Sequence, residues 1–393
     1  MLIQFILKNF LSFREEAIFD MSAIHAYKEH EYNLIHTEKE KFLRVAAIYG
    51  ANASGKSNFI YAYSCFRDIV IHSSNNVEVE EEKSIKARYC PFIFENQKEN
   101  TEFQIIALID GDEYKYGFEY NDKQIISEWL YKKDLHTNRT SIIFERGEEL
   151  QFGASVRKEC EIFGKQVSSE TLVLSFFYQL QLHTDVFQKV FEEIRAPFIL
   201  QSNYFENNDL ITRFLPFFIE NNKQELLAFL TAIDSGIKDI VYEGDGKETE
   251  FYTVHWNKKG EQFKLSLFDE SEGTMKSISI YIVAKSVIKS NTVLMVDELN
   301  VKLHPLLLKF IIDLFYNDCS TAQLIYTTHD TTLLDKKFFR RDQIWFVQKD
   351  EFGHSQLYAL SDFKVRSDAS FEKDYLAGVY GGIPYLQDFE LKR

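Results

Sequence analysis

The chain has 393 residues, of which 45% are hydrophobic, enough for one large α/β domain or two of ordinary size around a substantial core. No stretch approaches ~20 consecutive apolar residues, which argues against a membrane span. A net charge of −15 argues against a surface coated with nucleic-acid contacts, although 45 Lys and Arg leave room for a local basic groove.

No basic segment followed by an apolar one and a cleavage site opens the chain, so a cytoplasmic protein is expected. Cys65, Cys90, Cys160 and Cys319 lack paired spacing and predict reduced thiols, with neither a disulfide frame nor a zinc site.

Residues 2–14 and 17–21 alternate in polarity and predict two strands joined by a turn. The apolar run 42–49 predicts a buried strand. It feeds Gly50-Ala51-Asn52-Ala53-Ser54-Gly55-Lys56-Ser57, and Asn58 onward predicts a helix. A glycine-rich turn between a strand and a helix is the context of a phosphate-binding loop. Gly50 and Gly55 permit the tight turn that points backbone N–H groups at the β- and γ-phosphates. Lys56 would supply positive charge to those phosphates and Ser57 a hydroxyl to Mg²⁺. The acidic run at 78–82 reads as a solvated loop.

Three strands are expected at 102–110, 113–120 and 124–131, separated by Asp-Gly-Asp and Asn-Asp turns as in an antiparallel meander. From about 156 to 236 the period turns helical, clearest at 168–182, 186–194 and 226–233, and alternation returns at 251–266. The last third predicts a helix at 276–290, a strand at 292–296, a helix at 305–316, and strands at 323–327 and 343–348.

The strand at 292–296 ends in Asp297-Glu298, where open α/β sheets place their ligands. Asp297 could hold Mg²⁺ and Glu298 could polarise an attacking water; an ordinary strand with a polar turn would read the same way. The strand at 323–327 leads to His329, a candidate γ-phosphate sensor. Ser271-Glu272-Gly273-Thr274 precedes a helix, so Ser271 or Thr274 could cap it and its N–H groups could receive an anion.

In this order the motifs resemble the ATP-binding-cassette class of ATPase heads. Asp297-Glu298-Leu299-Asn300 with Leu303-His304-Pro305 resembles the Walker B and D-loop segment. Thr327-Thr328-His329-Asp330 resembles the switch motif, and Ser271-x-Gly273-Thr274 the reduced signature of the SMC, RecF and overcoming-lysogenisation-defect branch. Within that branch the chain is similar to the bacterial AAA ATP-binding family that includes RloA-type and abortive-infection ATPases. Asn9-Phe10-x-Ser12-Phe13, Tyr114-x-Tyr116-Gly117-Phe118, the segment 125–131 around Glu128, Arg341-Asp342-Gln343-Ile344-Trp345-Phe346 and Tyr380-Gly381-Gly382-Ile383-Pro384 fit the same family.

The resemblance implies an α/β P-loop NTPase of the ABC-ATPase type, with a mixed sheet, an antiparallel β part and an inserted helical lobe. Over a single domain at 1–393 it implies an N-terminal lobe at 1–154, a helical lobe at 155–265 and a C-terminal lobe at 266–393. It implies ATP and Mg²⁺ as cofactors, with Asn52, Ala53, Ser54 and Asn58 contributing to the nucleotide loop. Gln179 is equated with the Q-loop glutamine at the metal, and residues 10–14 are expected near the base or ribose. Ser271, Gly273 and Thr274 would close on a γ-phosphate held by another copy, giving a head-to-tail dimer or higher oligomer. Two departures stand out: Asn300 replaces the usual aspartate, and Glu272 adds negative charge that Lys276 could offset.

The implied activity is ATP hydrolysis as the switch of an anti-phage system acting with a separately encoded effector such as a nuclease. An SMC-like DNA-maintenance ATPase is the alternative, set back by the absence of a long heptad pattern. The full glycine-rich signature of transporter ATPases is absent.

Overall fold

The computed structural model describes residues 1–74, 85–95, 99–201, 209–244, 249–316, 320–366 and 369–383. The acidic run at 78–82, Cys319 and Pro384 lie outside the described residues.

A six-stranded sheet forms the centre, in the spatial order Phe198–Leu200, Val293–Val296, Gln323–Thr328, Val45–Tyr49, Ile344–Lys349 and Ser355–Ala359. All neighbours are parallel except the last pair, which forms an antiparallel hairpin. The inner strands are buried along their length, as a parallel sheet covered on both faces requires. Alternate residues divide between two cores. Val45, Ala47, Tyr49, Leu294, Val296 and Tyr326 face the helices Glu272–Ser290 and Pro305–Tyr316. Ala46, Ile48, Met295, Ile325 and Trp345 face the helix Lys56–His72 and a second sheet.

That second sheet is antiparallel and seven-stranded, in the order Leu150–Phe152, Arg139–Arg146, Ile125–Asp134, Asp112–Tyr120, Thr101–Ile109, Leu2–Lys8 and Ala17–Asp20. The expected hairpin and meander are both in it, extended by two strands that sequence reading did not identify. Aromatic rings fill the space under it: Phe5, Tyr63, Phe66, Phe103 and Phe118 meet at centroid distances near 5–6 Å.

Several boundaries move. Residues 42–49 are two strands, Lys41–Leu43 and Val45–Tyr49, because at Arg44 the chain passes from pairing with Leu34–His36 to pairing with Gln323–Thr328. The helix expected at 226–233 is the end of a longer one, Asp209–Ile233, kinked at Asn222 (φ −136°). The helix expected from 168 begins at Val173, where buried Glu128 accepts from the Val173 and Leu174 N–H groups at 2.6 and 3.0 Å.

The segment 155–265 is shared between cores. Val173–Leu180 and Val186–Arg195 pack with the helix Lys56–His72, and Phe198–Leu200 is an edge of the central sheet. Asp209–Ile233 and the small sheet Ile237–Glu243, Glu250–Trp256, Gln262–Ser266 build a third core. Ile278, Tyr281 and Ile282 of the helix Glu272–Ser290 enter that third core, while its Ile280, Val283 and Val287 enter the central one. This helix therefore carries apolar residues on two faces, as a helix buried between two layers must.

Candidate nucleotide site

Strand register brings the candidate residues to one edge. Tyr49 pairs with Thr328, and Val296 pairs with Tyr326. Gly50, Asp297 and His329 each follow one of these parallel strands at its carboxyl end, the end at which open α/β sheets bind ligands. A cleft of about 570 Å³ opens there, lined by residues 52–58, Glu298, His329 and Lys349.

The loop curls by alternating conformations. Ala53 is left-handed (φ 61°) and Gly55 is at φ 114°, an arrangement that turns successive N–H groups inward. Only glycine fits at 55, because a Cβ would lie 2.4 Å from Ser355 Oγ and 2.9 Å from Ser12 Oγ. Lys56 opens the following helix and is 5% exposed. Its Nζ donates to the carbonyls of Gly50 and Ala51 at 2.8 and 2.9 Å. Burial pulls the Lys56 ammonium below its ordinary pKa, opposed by the nearby Glu298 and Asp297 charges. Ser57 is exposed in the cleft.

Asp297 is 3% exposed behind the cleft. The Thr327 hydroxyl donates to Asp297 Oδ1 at 2.6 Å and accepts from the Glu298 N–H at 2.8 Å. One side chain thus orients both acids. Glu298 itself sits in the left-handed region (φ 53°), which turns its side chain away from the strand direction. Its carbonyl accepts from Lys276 Nζ at 3.0 Å. Asn300 accepts from the Thr328 hydroxyl at 2.9 Å, and its Nδ2 lies 3.4 Å from His329 Nε2. Asn300, read from sequence as a departure from the family's aspartate, therefore contacts His329 of its own chain.

The family described as "AAA domain, putative AbiEii toxin, Type IV TA system" matches residues 45–335, which hold every residue lining the cleft except Lys349. The chain belongs to this family. Its fold is α/β, a mixed sheet that carries the loop at 50–57 joined to an antiparallel one. Among solved structures it is similar to an SMC head domain from Thermotoga maritima, with 12% identity over 91% of this chain and 98% of that one and a TM-score of 0.43. An SMC head with an extended coiled coil, bound to the C-terminal domain of ScpA from Pyrococcus furiosus, shows 14% identity over 96% and 98%, with a TM-score of 0.40. No curated protein matches the chain.

Other expected site residues lie away from the cleft. Gln179 is exposed on the helix Val173–Leu180, where its Nε2 donates to the Ser74 carbonyl at 3.2 Å; it does not line the cleft. Phe10 and Phe13 are fully buried, and Arg14 pairs with Glu95 and Glu99, so these three side chains are committed elsewhere. Ser271 caps the helix Glu272–Ser290, accepting from the Thr274 N–H at 3.1 Å, and this turn lies outside the cleft of its own chain. Glu272 is offset by Lys302 at 2.9 Å, not by Lys276, whose ammonium is buried against Glu298.

Thr327 as the clasp of the two acids, Lys276 as a support of Glu298, and Lys349 at the rim were not identified from sequence. The signal for Lys349 is the neighbouring position of its strand beside the loop strand, which is a fact of strand order.

The donor set fits Mg²⁺ with a nucleoside triphosphate. The Ser57 hydroxyl and the Asp297 carboxylate are hard oxygen donors of the kind that hold Mg²⁺ together with substrate phosphates. Buried Lys56 is bonded to two neutral carbonyls, and the buried Ser54 Oγ has no hydrogen-bond partner among the described residues. Both suit an anion in the loop.

Proposed function

We infer that the protein is an ATPase switch: it binds Mg-ATP in the cleft at Lys56, hydrolyses it with Glu298 and His329, and pairs head to tail while nucleotide is bound. The observation that carries this reading is the convergence of Lys56, Ser57, Glu298 and His329 on one cleft, with Asp297 clasped behind it.

Each residue has a distinct task. The loop N–H groups and Lys56 receive the phosphate charge. Ser57 and Asp297 would hold Mg²⁺, which when bound offsets the charge of the β- and γ-phosphates. The Glu298 carboxylate orients and polarises the attacking water, and His329 contacts the γ-phosphate from the other side. The capped turn at Ser271, Gly273 and Thr274 lies outside its own cleft and supplies N–H donors to the nucleotide of a second copy.

The description of the family as a putative AbiEii toxin supports a defence setting in which the ATPase works with a separately encoded effector. Sizing the protein with and without Mg-ATP tests the switch. Glu298→Gln should accumulate as a nucleotide-bound pair, and Lys56→Ala should remain single under all conditions. A wild-type protein that hydrolyses no ATP and whose association ignores nucleotide would overturn the reading.

A further inference from the structure

A second cavity of about 710 Å³ adjoins the cleft, and Lys349 lines both. It lies between Phe94 and Glu95 on one side and residues 350–354 on the other, the turn joining the strands Ile344–Lys349 and Ser355–Ala359. Two large apolar side chains stand open in it: Phe94 is 69% exposed and Phe352 67% exposed. Nothing in the roles given to the cleft uses them.

The Phe94 ring is held in place. Gly353 has φ 88°, and a Cβ there would come within 2.8 Å of the Phe94 ring, so the ring lies over the glycine. Phe92 is buried and meets Phe94 edge-on at 5.5 Å and the His354 ring at 4.6 Å. The turn is also fixed against the phosphate loop. Ser355 Oγ lies 2.6 Å from the Ser54 carbonyl oxygen and 2.7 Å from Ser12 Oγ, which accepts from Asn58 Nδ2 at 2.7 Å. His354 and Gly353 are therefore only one and two residues, about 4 and 7 Å of chain, from a side chain touching the loop. A ligand whose phosphates occupy the cleft would extend its other end past Lys349 into the aromatic cavity.

Two of the three carboxylates that line the cavity, Asp350 and Glu95, are engaged, and Glu351 is exposed. Asp350 accepts from the Phe352 and His354 N–H groups at 2.9 and 2.8 Å. Glu95 accepts from Arg14 Nε at 2.8 Å. What remains for a ligand is flat apolar surface beside the Lys349 ammonium and the Glu351 carboxylate. Such a surface holds a nucleobase by stacking, which tolerates any base because every base has a π-face.

Resting on the nucleotide reading above, we propose that this cavity is the base subsite: Phe94 and Phe352 stack the purine, Lys349 bridges to the sugar–phosphate part, and the site distinguishes poorly between adenine and guanine. The base subsite so assigned is separate from the buried Phe10 and Phe13 of the opening hairpin.

The test is equilibrium binding of Mg-ATP, Mg-GTP and Mg-tripolyphosphate to the wild type, to a Phe94→Ala/Phe352→Ala double variant and to Lys56→Ala. Both aromatic residues are more than two-thirds exposed and neither belongs to a core cluster, so the double variant keeps the core intact. The wild type should bind ATP and GTP within a few-fold of each other, and tripolyphosphate about tenfold or more weakly. The double variant should bind ATP no better than tripolyphosphate, with its tripolyphosphate affinity unchanged. Wild-type affinity for ATP in the double variant, or a large preference for ATP over GTP, overturns the subsite while leaving the nucleotide reading in place. Failure of the wild type to bind either ATP or tripolyphosphate overturns both, and Lys56→Ala should reproduce that failure.

Discussion

Lys276 donates from its ammonium to the backbone carbonyl of Glu298 at 3.0 Å, joining the helix that starts at Ser271 to the acid placed at the cleft. Lys276 is 5% exposed, and Glu298 is in the left-handed region. The bond thus braces an unfavourable backbone conformation from an adjacent element. Lys276→Met should lower kcat for ATP hydrolysis about ten- to a hundredfold with little change in KM, since the nucleotide loop is untouched. Steady-state kinetics beside sizing of the variant would check it; unchanged kcat would remove Lys276 from the mechanism.

The same lysine predicts a pH dependence of stability. Burial pulls its pKa from the ordinary 10.5 down to about 8. A lysine lowered in the folded state binds fewer protons there than in the unfolded chain between those two values. Stability attributable to it therefore rises with pH from about 8 toward 10.5, and the burial cost is fully present below 8. Between pH 7.5 and 9.5 the wild type should gain on the order of 2 kcal/mol relative to Lys276→Met in denaturant unfolding. A constant difference across that range would contradict the assignment.

Thr327 holds Asp297 and Glu298 through one hydroxyl. Thr327→Val keeps the shape but leaves a carboxylate oxygen and an N–H without their partner. The expected loss is about 2–4 kcal/mol of stability together with most of the hydrolysis. Thr327→Ser should restore both, measured by denaturant melts and turnover. A valine variant with normal turnover would show that the clasp is dispensable.

Glu128 is buried and accepts from the Val173 and Leu174 N–H groups and from the Tyr116 hydroxyl at 3.0 Å. It caps a helix from a strand of the antiparallel sheet. Glu128→Ala should cost roughly 3 kcal/mol by stranding these donors. Hydrogen exchange should locate the loosening at residues 173–180, with binding of nucleotide by the folded fraction unaltered.

Arg340 is fully buried. It grips both oxygens of Asp342 at 2.9 and 2.8 Å and donates to the carbonyls of Ile24, Tyr27 and Glu29. Arg340→Leu leaves the Asp342 charge buried without its partner and should destabilise by about 3–5 kcal/mol. Arg340→Lys should recover little, because an ammonium cannot span the fork and the three carbonyls. Thermal melts of the two variants would decide it.

Much of the central layer was legible. Continuous apolar runs ending in Gly50, Asp297 and His329 identify buried parallel strands with polar ends, and the loop spacing identifies the phosphate turn. Those features are local: a five-residue stretch reports its own burial period, and a glycine reports a turn at its own position. The helix 305–316 was read from its first residue and over its described length for the same reason. The long helix Asp209–Ile233 was read only at its final turns, because Pro216 and the kink at Asn222 interrupt its period.

What the sequence by itself determined, then, is which residues could bind phosphate and that the chain folds as an α/β P-loop protein. Tertiary structure alone decided strand order, and with it the place of Lys349 beside the loop and the clasp of Thr327 on two acids. It also decided that Phe10 and Phe13 are core while Phe94 and Phe352 face solvent. Phenylalanines give the same sequence signal in either setting. Only the packing of strands distant in the chain determines which rings are covered.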